Sequence, residues 1–385
     1  MREINVGMIG AGFAAKAHSV AYRMLPTIFW PPPAIPRLKV IADIDARLAE
    51  LGAKSYGFQT WTVEGKSVAQ MKDIELVNVA TPNNAHREAC IEAAEHGKHV
   101  FCEKPMAMNA IEAKEMYESA EKADVKHCVD FNYRKTPAVS LAKQLVDENG
   151  IGRVYHFRAA YLQDWPINPD YPLTWRFRKD VSGSGVLGDL GSHIIDLARF
   201  LVGDIKEVAS ITETFVKERP LPKREYALFE TKETVKEKGK VDVDDAACIL
   251  ARFENGALGT IESSRLAYGR KNYQTFELYG SKGSLIFNYE RLNELKFYSA
   301  EDPEHTQGFR TILTGPAHPY GAAWGPIPGI SEGYMMTIAN TIYEFLNGIV
   351  NEKKNYPTFY DGWKSQQVID ASLKSAATGR WVSVG

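Results

Sequence analysis

Asp189 and His193, four residues apart, and Lys104, far upstream, are the side chains best suited to chemistry in this 385-residue chain. On a helix beginning near Asp189, four-residue spacing sets a carboxylate and an imidazole about 40° apart, side by side. That is how a general base is paired with the acid that orients it. An acid favoured by a helix N-terminus, next to a solvated histidine, accounts for the pair as well. Glycines at 183, 185, 188 and 191 tilt the balance, because they thin the wall where a ligand or cofactor approaches. Lys104 follows an apolar stretch, 98–102, that reads as a strand, and Glu103-Lys104-Pro105 leaves its carboxyl end. Open parallel sheets bind ligands at that edge, so Lys104 is expected in the crevice; a surface lysine is the alternative. Asn109 and Glu112 supply a capping box for the next helix, which leaves the tripeptide without a structural duty.

The elements that would position these groups begin at residue 5. An apolar strand ends at Ile9, Gly10-x-Gly12-x-x-Ala15 turns the chain, and 14–24 has helical periodicity. Gly10 suits the tight turn, Gly12 the approach of a pyrophosphate, and Ala15 close helix–strand packing. Free N–H groups of the first helical turn, at Phe13 and Ala14, would face the phosphates. A second strand, 38–42, ends at Asp43, placed to accept from ribose hydroxyls and to repel a 2′-phosphate; this predicts NAD rather than NADP. Asp45 reads as the cap of the following helix. Between helix and second strand, 25–36 holds five prolines and is expected to be an insertion without regular helix or central strand, with Phe29 and Trp30 packing on their own domain. The turn Thr81-Pro82-Asn83-Asn84-Ala85-His86 follows a buried strand, 76–80. It places Thr81, Asn83 and His86 with Glu103 and Lys104 at the cofactor edge, although Pro82 stopping the strand and Asn84 capping a helix explains it locally too. Strand–helix alternation ends near Phe131, the expected boundary between units 1–131 and 132–385.

The second half changes pattern. Stretches 207–216, 245–253, 256–263, 274–279 and 284–288 alternate as strands, with hairpin signals between several of them. Helices are expected at 140–146, 333–348 and 363–377, and the charged run 231–240 as a solvated connection. The fold class expected is α/β: an N-terminal doubly wound parallel sheet, then an α+β unit with a large, mostly antiparallel open sheet. The 46 basic residues nearly balance the 48 acidic ones, which argues against a nucleic-acid or anionic-membrane partner. No apolar run reaches membrane-span length, and the first residues lead into a strand rather than a signal peptide. The four cysteines lack metal-like spacing and read as buried thiols in a reducing cytoplasm; no metal is expected.

Gly10-x-Gly12-x-x-Ala15, Glu103-Lys104-Pro105 and Asp189-x-x-x-His193, in this order, resemble the glucose–fructose oxidoreductase/inositol dehydrogenase (Gfo/Idh/MocA) family over essentially the whole chain. The resemblance implies a catalytic triad of Lys104, Asp189 and His193, with the lysine also touching the nicotinamide, and an open sheet that makes homo-oligomer contacts, in a dimer, tetramer or larger assembly. Trp175-Arg176, Gln163-Asp164-Trp165 and the proline-rich stretch look like the family's anhydrosugar and glycoside 3-dehydrogenase branch. Inositol is less expected, because Asn132-Tyr133 depart from the polyol-contacting types. The implied reaction takes hydride from a secondary carbinol of a sugar or cyclic polyol, C3 of a pyranose favoured, to NAD⁺. His193 takes the hydroxyl proton, Asp189 orients the ring and Lys104 faces the developing alkoxide. A helix N-terminus and Asp189 acting in opposition would hold His193 near neutrality. Tyr133, Asp164, Trp165 and Arg176, with Tyr161, Trp175, Trp324 and His318 as further candidates, would meet the carbohydrate. Redox-neutral use of a retained NAD through a 3-keto sugar, or sugar or nucleotide sensing without catalysis, are the rivals.

Overall fold

Apolar strands alternating with helices build a six-stranded sheet from the first third of the chain. The computed structural model describes residues 1–223, 233–325, 327, 329, 333–354 and 356–385. In chain order come β1 (Glu3–Ile9), α1 (Phe13–Ile28), β2 (Ile35–Ala42), α2 (Ala46–Tyr56), β3 (Thr60–Thr62) and α3 (Gly65–Gln70). They are followed by β4 (Leu76–Val79), α4 (His86–Glu95), β5 (His99–Cys102), α5 (Ala110–Lys122) and β6 (His127–Val129). The strands are ordered β3-β2-β1-β4-β5-β6 and every pair is parallel. β4 is buried throughout, as expected for a strand with helices on both faces.

Local chemistry fixes the punctuation. Asp45 caps α2 by accepting from the N–H groups of Arg47 and Leu48, and Asn109 caps α5 from Ile111 and Glu112. Asn84 caps nothing: α4 starts after Ala85 without a side-chain cap. The proline-rich stretch is more regular than its composition suggests. α1 continues through Pro26 to Ile28, where the proline falls in the last turns, and Phe29 N–H donates to Leu25. Pro36 lies inside β2, at a point beyond the reach of β3, which pairs only with Val40–Ala42; its missing N–H therefore costs no ladder bond. Phe29 packs within the same chain, stacked on Tyr343 at 4.1 Å and edge-on to Trp324, while Trp30 is exposed.

The remainder builds on α6 (Pro137–Asp147), β7 (Val154–Leu162), α7 (Lys179–Ser182), a π-helical turn over Leu187–Gly191 and α8 (Ser192–Leu201). Strands β8 (Ile205–Glu213), β9 (Glu218–Pro222), β10 (Thr234–Lys240), β11 (Ala246–Phe253), β12 (Leu258–Ser264), β13 (Tyr273–Gly280), β14 (Gly283–Asn288), β15 (Glu294–Ser299) and β16 (Arg310–Leu313) follow. The chain closes with α9 (Gly321–Trp324), α10 (Tyr334–Asn351), α11 (Phe359–Thr378) and β17 (Val382–Ser383). A nine-stranded sheet runs β16-β15-β14-β13-β7-β12-β11-β8-β17, antiparallel except where β7 meets β12. The class is α/β, as expected. The charged run departs from expectation: residues 234–240 are strand β10, largely exposed and paired with β9, while Thr231 and Lys232 lie outside the described residues.

Period-two burial divides the large sheet. Along β11, Ala247, Ile249, Ala251 and Phe253 are buried beneath the helices, and Cys248, Leu250 and Arg252 face outward. Cys248 is thus exposed, contrary to the buried thiol expected; Cys90, Cys102 and Cys128 are buried. α10 returns to the first sheet, where Ile338, Ile342 and Phe345 share one core with α1 and β1.

Candidate active site

Gly10 has φ +98°, and a Cβ there would sit 2.4 Å from the Ala80 carbonyl oxygen, so the turn after β1 requires glycine. A Cβ on Gly12, the N-cap of α1, would meet nothing within 4 Å: open space lies before the helix, and no side chain caps its N–H groups. Phe13 is half-exposed beside that space, and Ala14 is partly buried. Asp43 accepts from Ala11 N–H at 2.9 Å and from Asp45 N–H at 3.0 Å, and burial raises its carboxyl pKa. Thr81 Oγ1 is buried with no hydrogen-bond partner among the described residues. A glycine cradle, uncapped helical N–H groups, an acid at the end of β2 and an orphaned hydroxyl fit a dinucleotide.

Other residues expected at the cofactor edge are turned inward. His86 lies fully buried between the carbonyl oxygens of Thr81 and Pro105, 2.9 and 3.1 Å away, and so ties the two turns together; burial lowers its pKa. Asn83 Nδ2 donates to Ser182 O at 2.9 Å, stitching the first sheet to the segment before α8. Glu103 Oε2 accepts from Lys104 N–H, and Oε1 from His18.

Lys104 Nζ reaches Asp189, donating to its carbonyl oxygen at 2.8 Å and to Oδ1 at 3.2 Å. The expected meeting of Lys104 and Asp189 therefore exists, but Asp189 does not orient His193: its carboxylate is engaged by the lysine. His193 Nδ1 is buried without a hydrogen-bond partner among the described residues. The reason is the π turn at 187–191, which widens the helix and removes the regular four-residue stacking. Burial alone would raise the Asp189 pKa, but Lys104 and then Arg176 outweigh it and hold the carboxyl at about 2. Burial, reinforced by Lys104, pushes the His193 imidazole well below its usual value, against the pull of Asp189. His193 is thus neutral at pH 7 through desolvation and the nearby Lys104 ammonium, which outweigh the pull of Asp189.

The helix that carries His193 is held at three points. Asp244 caps it, accepting from Gly185 and Leu187 N–H at 2.8 Å each, while its carbonyl accepts from Val186. Leu190, Ile194, Leu197 and Leu201 are buried against the large sheet, each contributing about 1.5–3 kcal/mol. Buried Arg134 pairs with Asp196 and with Asp361 at the start of α11.

Tyr133 packs edge-on against His193 with ring centroids 4.5 Å apart, and Phe131 and Tyr161 lie at 6.3 and 5.9 Å. Tyr133 and Tyr161 share a 2.8 Å hydroxyl contact, and Tyr161 donates to Asn272 Oδ1, which also accepts from Gln163. Asn272 and Asp244 gave no local sequence signal. Asp164 is spoken for by Gly269 N–H and Lys271, so it orders the loop carrying Asn272. Trp165 packs on Tyr171 and Phe177 in a satellite core. Arg176 stacks on Trp175 at 4.5 Å. Trp324 is core, its Nε1 donating to Asn340, and His318 closes a local turn at Gly315.

The family models for an oxidoreductase with an NAD-binding Rossmann fold and for the GFO/IDH/MocA C-terminal domain match residues 4–131 and 139–286. Levoglucosan dehydrogenase of Pseudarthrobacter phenanthrenivorans is 46% identical over 385 residues, covering 100% of this chain and 99% of its own. Myo-inositol 2-dehydrogenase of Thermotoga maritima is 30% identical, covering 74% of this chain and 75% of its own. Among solved structures, levoglucosan dehydrogenase in complex with NADH and levoglucosan superposes with a TM-score of 0.94 at 45% identity, covering all of both chains. With its ordered motifs, its two-sheet architecture, both family models and a relative matched over its full length, the chain belongs to the Gfo/Idh/MocA family of NAD-dependent oxidoreductases.

Proposed function

We propose that this chain oxidises a secondary hydroxyl of an anhydrosugar or glycoside, C3 of a pyranose favoured, with NAD⁺ as hydride acceptor. The observation that carries the reading is the Lys104–Asp189 contact joining the first sheet's edge to the helix of a neutral, buried His193. NAD⁺, when bound, supplies the hydride acceptor. His193 takes the hydroxyl proton, which a neutral imidazole can do and an imidazolium cannot. Lys104 holds an ammonium where alkoxide charge develops, and Asp189 fixes that ammonium. Gly10, Gly12, Phe13, Ala14, Asp43, Thr81, Asn83, His86 and Glu103 form or brace the cofactor side. Tyr133 and Arg176 line the carbohydrate side, while Asp164 and Trp165 act through the loops they order. The relatives that act on levoglucosan and inositol support a cyclic polyol substrate.

Residues 1–131 serve as the dinucleotide unit and 132–385 as the substrate and assembly unit, with α10 and α11 lying back on the first. The outward face of the large sheet, with exposed Ile211, Leu250 and Leu258, is covered by a second copy of the chain. Three buried, unpaired thiols suit a reducing compartment, the cytoplasm. Incubating the enzyme with NAD⁺ and a panel of anhydrosugars, glycosides, hexoses and inositols tests the activity, with NADH absorbance and product position by NMR as readouts. We expect turnover on an anhydrosugar or glycoside, and about a hundredfold or greater loss in K104M. Keto-sugar formation without free NADH would shift the reading to redox-neutral chemistry; wild-type rates in K104M would overturn the site.

A further inference from the structure

Behind the Lys104 turn lies a buried ionic cluster that the mechanism does not use. His18, on α1, is wholly buried, and its Nε2 lies 3.0 Å from Glu103 Oε1 and 3.2 Å from Asp130 Oδ2. Its Nδ1 lies 3.2 Å from Asn78 Oδ1, which also accepts from Tyr22 Oη. Asn78 Nδ2 lies 3.0 Å from the same ring nitrogen, while Nε2 sits between the two carboxylates, the geometry of an imidazolium held by two acids. Burial works against the cation, yet Asp130 and Glu103 hold the imidazole pKa at about 10. Burial pushes Asp130 up to about 6, and its second oxygen is buried without a partner among the described residues. Four elements meet here, three strands of the first sheet and the helix packed on them: α1 from the glycine turn, β4, and the carboxyl ends of β5 and β6. Glu103 is the member that reaches partly into the open, and it adjoins Lys104.

We propose that His18 is a positioning residue, a fixed internal cation between Glu103 and Asp130 whose balance with them sets the enzyme's relative affinity for oxidised and reduced NAD. The physical basis is a charge difference. The nicotinamide of NAD⁺ is cationic and that of NADH is neutral, so charge near the ring acts on one form only. With His18 protonated and both carboxylates ionised, the cluster carries net negative charge next to the Glu103–Lys104 turn and favours NAD⁺. Losing an acid moves the preference towards NADH, and losing the cation moves it towards NAD⁺. A purely structural cluster would weaken both cofactors together. The three ligand-type atoms lie within 4.8 Å of one another, and an imidazolium between two carboxylates accounts for that convergence.

The proposal rests on the NAD reading and is tested on the purified full-length protein. NAD⁺ and NADH dissociation constants are measured at pH 8 by fluorescence titration for wild type and D130N, whose side-chain amide keeps an acceptor for His18. We expect the ratio of NAD⁺ to NADH dissociation constants to rise on the order of tenfold in D130N, towards the reduced form. Should D130N not fold, as judged by thermal unfolding, H18Q is read instead, with a change of that ratio in the opposite direction expected. A ratio within twofold of wild type in the folded variant, or a shift with the opposite sign, overturns the proposal. Wild type that binds neither form would overturn the NAD reading itself.

Discussion

Burial, more than any single bond, sets the chemistry of individual residues here. His193 owes its neutrality to desolvation and to Lys104, so the acid limb of kcat/KM governed by this group falls below pH 6.5. A pH–rate profile checks this; an acid limb at or above pH 7 contradicts it. H193N removes the proposed base and is expected to lower kcat by about 10²–10⁴ while NADH binding persists, measured by stopped-flow and by cofactor fluorescence. His18 behaves in the opposite sense. Its folded pKa lies above the unfolded value, so the stability it contributes is complete below about pH 6.5 and is lost as pH rises through about 10. The stability gap between wild type and H18Q, from urea unfolding, should narrow steadily from pH 6 to pH 10. Gly10 was legible in the sequence because its duty is local, whereas the ion-pair partners of Asp189 (Lys104) and His18 (Glu103 and Asp130) come from 85 residues away or more.

At the scale of elements, the helix bearing His193 is positioned by residues outside it. Asp244 satisfies two N–H groups at the start of the π turn, and D244A should cost about 1–2 kcal/mol in urea unfolding. Because the same cap seats Gly185 against Asp244, turnover should fall with stability. Arg134 is the stronger case. It is buried with Asp196, itself pushed up by burial to about 6, and its removal strands a carboxylate. R134A is expected to lose about 3–5 kcal/mol by chemical denaturation, and a loss under about 1 kcal/mol would refute the role. The apolar face that runs from Leu190 in the π turn along α8 was readable from periodicity alone, since Leu190, Ile194, Leu197 and Leu201 are all buried. The π turn was not, because an extra residue per turn leaves no mark in the spacing of apolar types.

For the whole molecule, two sheets with different exposure share the work. The parallel sheet is covered on both faces and presents one edge to ligand; the mixed sheet is covered by α6, α8 and α11 on one face only. Its bare face exposes Leu250 and Leu258 at 54% each, the apolar surface on which the proposed contact with a second copy rests. The double variant L250E/L258E should run as a smaller species than wild type in light scattering coupled to gel filtration, with the fold retained by circular dichroism. An unchanged mass would remove this face as the assembly surface.

By itself the sequence determined whatever rests on neighbours along the chain: the glycine turn, the caps at Asp45 and Asn109, the alternation of strand and helix, and the apolar stripe of α8. Those features follow from φ preferences, N–H satisfaction and the periods 2 and 3.6, all of which act over a few residues. Tertiary structure alone decided which charges meet: Lys104 with Asp189, His18 with Glu103 and Asp130, Arg134 with Asp196 and Asp361. An ion pair needs only a few ångströms in space and no particular separation in sequence, so the chain closes these contacts without announcing them locally.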